Sequence, residues 1–217
     1  MDKINCVITT WKEMEDFAKK TSENIKKSNF YPDVIIGLSR GGLVPARMFC
    51  DFLHVKSCFT VKVDHWGMTA TKDGQAKLSQ RLDMDLAGKK VLIVDDITDT
   101  GQSMELAKKH IDGLNPKEVK TATLIHLSNS KYIPDFFGYE MPWGWIVFPW
   151  NRREDLVNLI KKILSEETEA LDAIKKSLKN NCDIDIEKTE IEEVLEHIRY
   201  LEKINEPLRP KGRSILI

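Results

Sequence analysis

Residues 91–103 read VLIVDDITDTGQS: an apolar run, two adjacent carboxylates, and a polar loop with one glycine. The apolar run Val91–Val94 predicts a buried strand, and a helix is predicted from about Gln102 to Leu114. Two neighbouring carboxylates repel each other and are costly to remove from water. We therefore expect a cation, or a group rich in hydroxyls, to lie beside Asp95 and Asp96.

The loop after the carboxylates is suited to an anion. A glycine-containing loop that leads from a strand into a helix offers backbone N–H groups and the positive end of the helix dipole. Thr98, Thr100 and Ser103 add hydroxyl donors, and Gly101 lets the backbone approach a ligand closely. A phosphate monoester fits such a loop. The alternative is an ordinary strand-to-helix turn in which Thr or Ser only caps the helix.

Two other classes of protein are disfavoured by this stretch. The Walker pattern GxxxxGK[ST] is absent, which argues against an ATPase. A receiver domain also places acidic residues after such a strand, but it begins near that strand and does not continue into a threonine-rich loop.

The rest of the chain alternates between strands and helices. Helices are predicted at residues 10–27, with Thr10 as N-cap, and at Leu43–Leu53; strands are predicted at Asp33–Leu38, 56–63 and Val119–Ile125. This alternation predicts a parallel sheet with helices on both faces, in which ligands lie beyond the carboxyl ends of the strands. The SRGG loop, the DDITDTGQS loop and the segment after Ile125 should all emerge at that edge.

The long polar segment Asp64–Arg81 is predicted to be irregular, as a lid or a disordered loop. The candidates in this segment for contact with phosphates are its basic residues His65, Lys72, Lys77 and Arg81. A solvated basic loop explains each of them equally well.

The composition changes at residue 152. The last 66 residues hold 13 basic and 15 acidic residues, and helices are predicted near 153–165, 167–179 and 187–204. We therefore divide the chain into a domain of residues 1–151 and a charged helical extension of residues 152–217.

The bulk composition excludes several partners. A net charge of −1 gives no overall field to attract nucleic acid or an anionic membrane, and no apolar run is long enough to span a bilayer. The four cysteines are scattered without CxxC pairs, so neither a zinc site nor a disulfide framework is indicated. We expect a cytoplasmic protein that forms a homodimer and binds neither nucleic acid nor membranes.

Three motifs together resemble those of one family. VLIVDDITDTGQS resembles the signature of type I phosphoribosyltransferases, which bind 5-phosphoribosyl 1-pyrophosphate. VIIGLSRGGLVPARMF (34–49) resembles their pyrophosphate loop, and WIVFPW (145–150) resembles the base-binding segment of the bacterial and archaeal xanthine–guanine subgroup. The resemblance covers residues 1 to about 151. It implies an α/β fold with a Rossmann-like parallel sheet and a small base-binding hood, to which the C-terminal helices are an appendage.

The resemblance also implies a role for each matching residue. Asp95 and Asp96 would hold the ribose hydroxyls and Mg²⁺, and Asp99 would face purine N7 as the general base. The 5′-phosphate would be bound by Thr98, Thr100, Gly101, Gln102 and Ser103. The pyrophosphate would be bound by Ser39, Arg40 and Gly41, with Lys62 as a further candidate. The purine base would be bound by Leu127, Trp145, Ile146 and Val147, with Trp145 stacking on the ring.

One departure from the family pattern bears on the choice of base. Where 6-oxopurine enzymes carry a lysine that donates to O6, an ungapped placement puts Leu127, with His126 beside it. Leucine cannot donate a hydrogen bond, so adenine is expected to be preferred over guanine and xanthine. Asp99 argues against adenine, because an aspartate at this position is typical of 6-oxopurine enzymes. Hypoxanthine, guanine or xanthine therefore stays the alternative substrate, and a regulator of the same fold that senses phosphoribosyl pyrophosphate stays a second alternative.

Overall fold

The computed structural model describes residues 3–66, 75–166 and 170–205. Their contacts divide the chain into two compact units. The first, called here the sheet unit, is Thr9–Trp143; the second, called the helical unit, comprises the described residues of 3–8 and 144–205. The division at residue 151 stays a prediction from composition. The contacts divide the chain at Gly144 and assign the N-terminal strand to the helical unit.

Eight strands and six helices are described, and they are numbered in chain order. The strands are β1 Cys6–Ile8, β2 Val34–Ser39, β3 Ser57–Trp66, β4 Gln75–Gln80, β5 Lys90–Thr98, β6 Glu118–Leu127, β7 Phe136–Met141 and β8 Trp145–Val147. The helices are α1 Trp11–Lys27, α2 Leu43–Leu53, α3 Gln102–Asp112, α4 Arg152–Glu166, α5 Leu171–Cys182 and α6 Lys188–Asn205.

The sheet unit is built on a six-stranded sheet in the order β4-β3-β2-β5-β6-β7. All neighbouring pairs are parallel except β3 and β4, which are antiparallel at one edge. The even-numbered residues of β2 pack against α3 in one buried cluster, whereas Gly37 of β2 faces Ala46 of α2 on the other side of the sheet. The predicted α/β architecture, with helices on both faces of a largely parallel sheet, is therefore confirmed.

Local sequence signals set several element bounds. Thr10 caps α1 by accepting from the Glu13 backbone N–H, while the Glu13 carboxylate accepts from the Thr10 backbone N–H. This reciprocal capping box satisfies two donors that a helix start leaves unpaired. Helix α2 has the predicted bounds. Strand β5 is longer than predicted, because it pairs with β6 as far as Thr98 and thus includes both Asp95 and Asp96.

The prediction of an irregular segment at Asp64–Arg81 is wrong for the part that the structure describes. Strand β3 continues to Trp66, and Gln75–Gln80 returns beside it as β4, with Asp64 opposite Lys77. The polar composition did not indicate strands here, because an edge strand that is exposed to water tolerates charged residues. Residues 67–74 of the proposed lid, Lys72 among them, lie outside the described residues.

The helical unit consists of three helices and a two-stranded parallel sheet of β1 and β8, which sequence analysis did not predict. Apolar residues of α4, α5 and α6 form its core, and the partly buried side chains Ile4, Cys6, Ile8 and Trp145 pack against this core. No helix among the described residues combines the length and apolarity needed to cross a membrane.

Candidate active site

The chain reverses its winding between β2 and β5. These two strands are parallel neighbours, with Gly37 opposite Val94, yet β2 leads through α2 to β3 on one side and β5 leads through α3 to β6 on the other. A crevice opens at such a switch point beyond the carboxyl ends of the strands, and ligands of open α/β sheets bind there. The loops that follow β2 and β5 are the two that sequence analysis selected.

The loop after β2 is a tight turn that presses against the acidic pair. The Gly42 N–H donates to the Leu38 carbonyl at 2.8 Å, and the Leu43 N–H donates to the Arg40 carbonyl at 3.1 Å. The Ser39–Arg40 peptide bond is cis. A Cβ on Gly41 would lie 2.6 Å from Cγ and 2.7 Å from Oδ1 of Asp96. Only glycine therefore lets this loop approach the carboxylate so closely.

The two carboxylates are desolvated together. Asp96 is 6% exposed and its backbone N–H donates to Oδ1 of Asp95 at 3.0 Å. Burial, and then the neighbouring charge of Asp96, raise the pKa of Asp95 well above its ordinary value, although backbone hydrogen bonds from Asp96 and Gly42 oppose the shift. Ionisation of both groups is unfavourable until a cation or hydroxyl donors reach them.

The loop after β5 ends at the start of α3. Asp99 and Thr100 are exposed, and Gly101 occupies the left-handed region with φ = 86° as the N-cap of α3. The Gln102 N–H donates to Thr100 Oγ1 at 3.4 Å. The first backbone N–H groups of α3 and the helix dipole make this turn a suitable anion site. Thr98 differs from the other predicted donors, since its buried hydroxyl donates to Thr123 Oγ1 at 3.1 Å and only its backbone remains a candidate.

Sequence analysis did not select Tyr132, which supports this loop. A Cβ on Gly101 would lie 3.0 Å from the Tyr132 backbone nitrogen and closer still to the Tyr132 Cβ. The Tyr132 hydroxyl donates to Thr121 Oγ1 at 3.3 Å. Asp135 completes the network, since its Oδ2 accepts from the Thr121 N–H at 2.8 Å and its own N–H donates to Thr121 Oγ1 at 3.1 Å. The Pro–Asp pair before β7 is the available sequence signal for this network.

Lys62 lies beside the tight turn, because its Cα is opposite that of Ser39 in the β2–β3 ladder. Its Nζ forms an ion pair with Asp64 Oδ1 at 3.0 Å, and both side chains are more than one-third exposed. The strand register thus places Lys62 beside the residue that precedes Arg40, and its charge is balanced by Asp64.

Strand β6 ends at His126 and Leu127, the two residues on which the predicted choice of base depends. Leu127 is 1% exposed and has no polar side-chain atom. His126 is 4% exposed, its Cα pairs with that of Thr98, and its ring lies 5.1 Å from the ring of Phe137 at 40°. Its Nδ1 is buried without a hydrogen-bond partner among the described residues.

The predicted base-binding residues Trp145, Ile146 and Val147 form β8 of the helical unit. The side chains of Ile146 and Val147 are buried, and their Cα atoms pair with Val7 and Ile8. The indole Nε1 of Trp145 donates to Asp155 Oδ1 at 3.1 Å, which holds a half-buried ring in one orientation.

The strand-end loops, with their acidic pair and their helix-capping glycine, define an α/β protein with a crevice suited to a phosphorylated sugar. Comparisons with known proteins narrow this class. The family model described as "Phosphoribosyl transferase domain" matches residues 7–155. The chain therefore belongs to the phosphoribosyl transferase domain family.

Individual relatives are similar over most of their own length. A hypoxanthine-guanine phosphoribosyltransferase of Aquifex aeolicus (strain VF5) is 31% identical over 133 residues, which is 57% of this chain and 73% of that protein. A xanthine-guanine phosphoribosyltransferase of Desulfotalea psychrophila is 28% identical over 143 residues, which is 65% of this chain and 84% of that protein. The crystal structure of a purine phosphoribosyltransferase from Pyrococcus horikoshii Ot3 superimposes with a TM-score of 0.60 at 30% identity, over 68% of this chain and 94% of that one.

Proposed function

We propose that this protein transfers phosphoribose from 5-phosphoribosyl 1-pyrophosphate to a 6-oxopurine, which yields the nucleoside 5′-monophosphate and pyrophosphate. The observation that carries the proposal is the pair of loops at the switch point, where Gly41 contacts Asp96 and Gly101 opens α3. The named relatives above, which are hypoxanthine-guanine and xanthine-guanine enzymes, support the 6-oxopurine class over adenine.

Each end of the sugar phosphate has a matching group. The N-terminus of α3, at Thr100–Ser103, is suited to the 5′-phosphate, since backbone N–H groups and the helix dipole both favour an anion. Asp95 and Asp96 are suited to the ribose hydroxyls, which donate hydrogen bonds to carboxylates. Arg40 and Lys62 supply positive charge for the departing pyrophosphate.

Asp99 is the proposed general base. It directly follows Thr98, the last residue of β5, and lies exposed at the start of the phosphate loop. A carboxylate here would accept a proton from the purine as N9 forms its bond to C1′ and the C1′–pyrophosphate bond breaks. The same acidic groups would favour the positive charge that develops on the sugar.

The acidic pair also fits Mg²⁺, as the sequence resemblance implies. The described residues hold no group of three or more His, Cys, Asp or Glu side chains placed to bind a metal. Two carboxylates are nevertheless enough for Mg²⁺, which keeps several water ligands and takes others from a substrate's phosphates. Mg²⁺ held by Asp95 and Asp96 would lower their mutual repulsion and stabilise the charge on pyrophosphate.

Adenine is the second candidate base, and Leu127 is the observation that favours it. A buried O6 that faced leucine would lose a hydrogen bond at a cost of about 1–3 kcal/mol. The sensing regulator without turnover is the further alternative. The homodimer likewise stays a prediction.

One assay tests these alternatives. Purified protein with Mg²⁺ and 5-phosphoribosyl 1-pyrophosphate is given adenine, hypoxanthine, guanine or xanthine in turn, and nucleotide formation is followed by chromatography. We expect hypoxanthine or guanine to have the highest kcat/KM. Preference for adenine would replace the proposed base, and binding of the sugar phosphate without turnover of any base would support the regulator.

A further inference from the structure

His126 is a buried histidine whose Nδ1 has no hydrogen-bond partner among the described residues. Leaving a buried polar group unpaired is destabilising, so native proteins retain such groups chiefly where a ligand or water completes the bond. The ring has a fixed place, since it lies against Phe137 at the carboxyl end of β6.

The position of His126 in the sheet points to the ligand concerned. Its Cα pairs with that of Thr98, and the next residue after Thr98 is Asp99. Neighbouring strands in a sheet are about 4.8 Å apart. This inference rests on the proposed function, in which N7 of the base lies against Asp99. Position 6, which is on the same edge of the purine as N7, then lies near the end of β6.

We propose that His126 determines the choice of base by donating a hydrogen bond from its imidazole to O6 of a 6-oxopurine. O6 of such a base accepts a hydrogen bond, whereas the amino group that adenine carries at position 6 donates one. A neutral imidazole has one N–H donor, so it can supply the donor that Leu127 lacks. His126 thereby replaces Leu127 as the residue that recognises position 6.

The test compares hypoxanthine with unsubstituted purine, which lacks the 6-oxygen. Wild-type enzyme should prefer hypoxanthine in kcat/KM by roughly 10- to 100-fold, the value of one hydrogen bond. His126→Phe keeps a ring against Phe137 and should bring the two bases to equal kcat/KM, with the Kd for 5-phosphoribosyl 1-pyrophosphate unchanged. His126→Lys, which restores a donor, should recover the preference for hypoxanthine.

Leu124→Met is the matched control, because Leu124 is fully buried in the same strand. It should keep the wild-type ratio of hypoxanthine to purine whatever it does to stability. A purely structural role for His126 would lower both rates together and leave the ratio intact, which would overturn the inference while the proposed function stands.

Two further results are also decisive. If His126→Phe does not fold, the Kd values of the wild-type protein for inosine monophosphate and for purine riboside monophosphate are compared instead. Equal Kd values would overturn the inference. Tighter binding of inosine monophosphate by roughly tenfold or more would support it. If the wild type transfers phosphoribose to no base at all, the proposed function fails, and the inference fails with it.

Discussion

Gly41→Ala tests whether the close contact between the tight turn and the acidic pair is needed for function. A Cβ at this position would lie 2.6 Å from Asp96 Cγ and closer still to Asp96 Oδ2, so the carboxyl group must move by at least about 0.8 Å to reach the 3.4 Å of ordinary contact. Asp96 is only 6% exposed and has little room to move.

The expected effect has two parts. Overpacking of this kind costs about 1–3 kcal/mol, which for a chain of this size lowers Tm by about 2–4 °C per kcal/mol. A displacement of about 1 Å in a group that positions substrate costs about 10²-fold in rate. We therefore expect Gly41→Ala to lower kcat/KM for 5-phosphoribosyl 1-pyrophosphate by about 10²-fold, while the protein still folds.

Steady-state kinetics, calorimetric titration with 5-phosphoribosyl 1-pyrophosphate and thermal unfolding measure these quantities. Gly113→Ala is the matched control, because Gly113 has φ = −69° at the end of α3 and a Cβ there would meet no site residue, its nearest contact being the His110 carbonyl oxygen at 3.2 Å. That variant should keep wild-type kinetics. Wild-type affinity and turnover in Gly41→Ala would refute the reasoning that the Gly41–Asp96 contact shapes the sugar-phosphate site.

Three further substitutions have defined outcomes. Asp99→Asn should lower kcat by about 10²–10⁴-fold, the usual range for a general base, and leave sugar-phosphate binding intact in calorimetry; an undiminished rate would remove Asp99 from the mechanism. Tyr132→Phe keeps the ring beside the phosphate loop but removes the hydrogen bond to Thr121, so the free energy of unfolding in urea should fall by about 0.5–1.5 kcal/mol. An unchanged free energy of unfolding would mean that this bond does not contribute to net stability. Arg152→Lys should break the two-bond pairing with Glu190, at 2.7 and 3.0 Å, and lower stability by up to about 1 kcal/mol; a double-mutant cycle with Glu190→Gln that showed zero coupling energy would contradict this.

The parts of this protein that its sequence determines are those governed by neighbouring residues. The capping box at Thr10 and Glu13 sets the start of α1, and apolar periodicity gives the predicted bounds of α2. The phosphate loop can be predicted from the sequence for the same reason, since an apolar strand, a glycine and a helix start follow one another in the chain. These features depend on backbone geometry and hydrogen bonds within a few residues.

Only the tertiary structure decides the contacts between segments that are distant in the chain. The Gly41–Asp96 and Gly101–Tyr132 contacts require parallel strands to come together, and so does the pairing of His126 with Thr98. The pairing of β1 with β8 joins two segments that are far apart in the sequence and leaves no local pattern. Whether the His126 imidazole finds a hydrogen-bond partner depends on what surrounds its side chain after folding, because unmet hydrogen bonds arise from packing and not from composition.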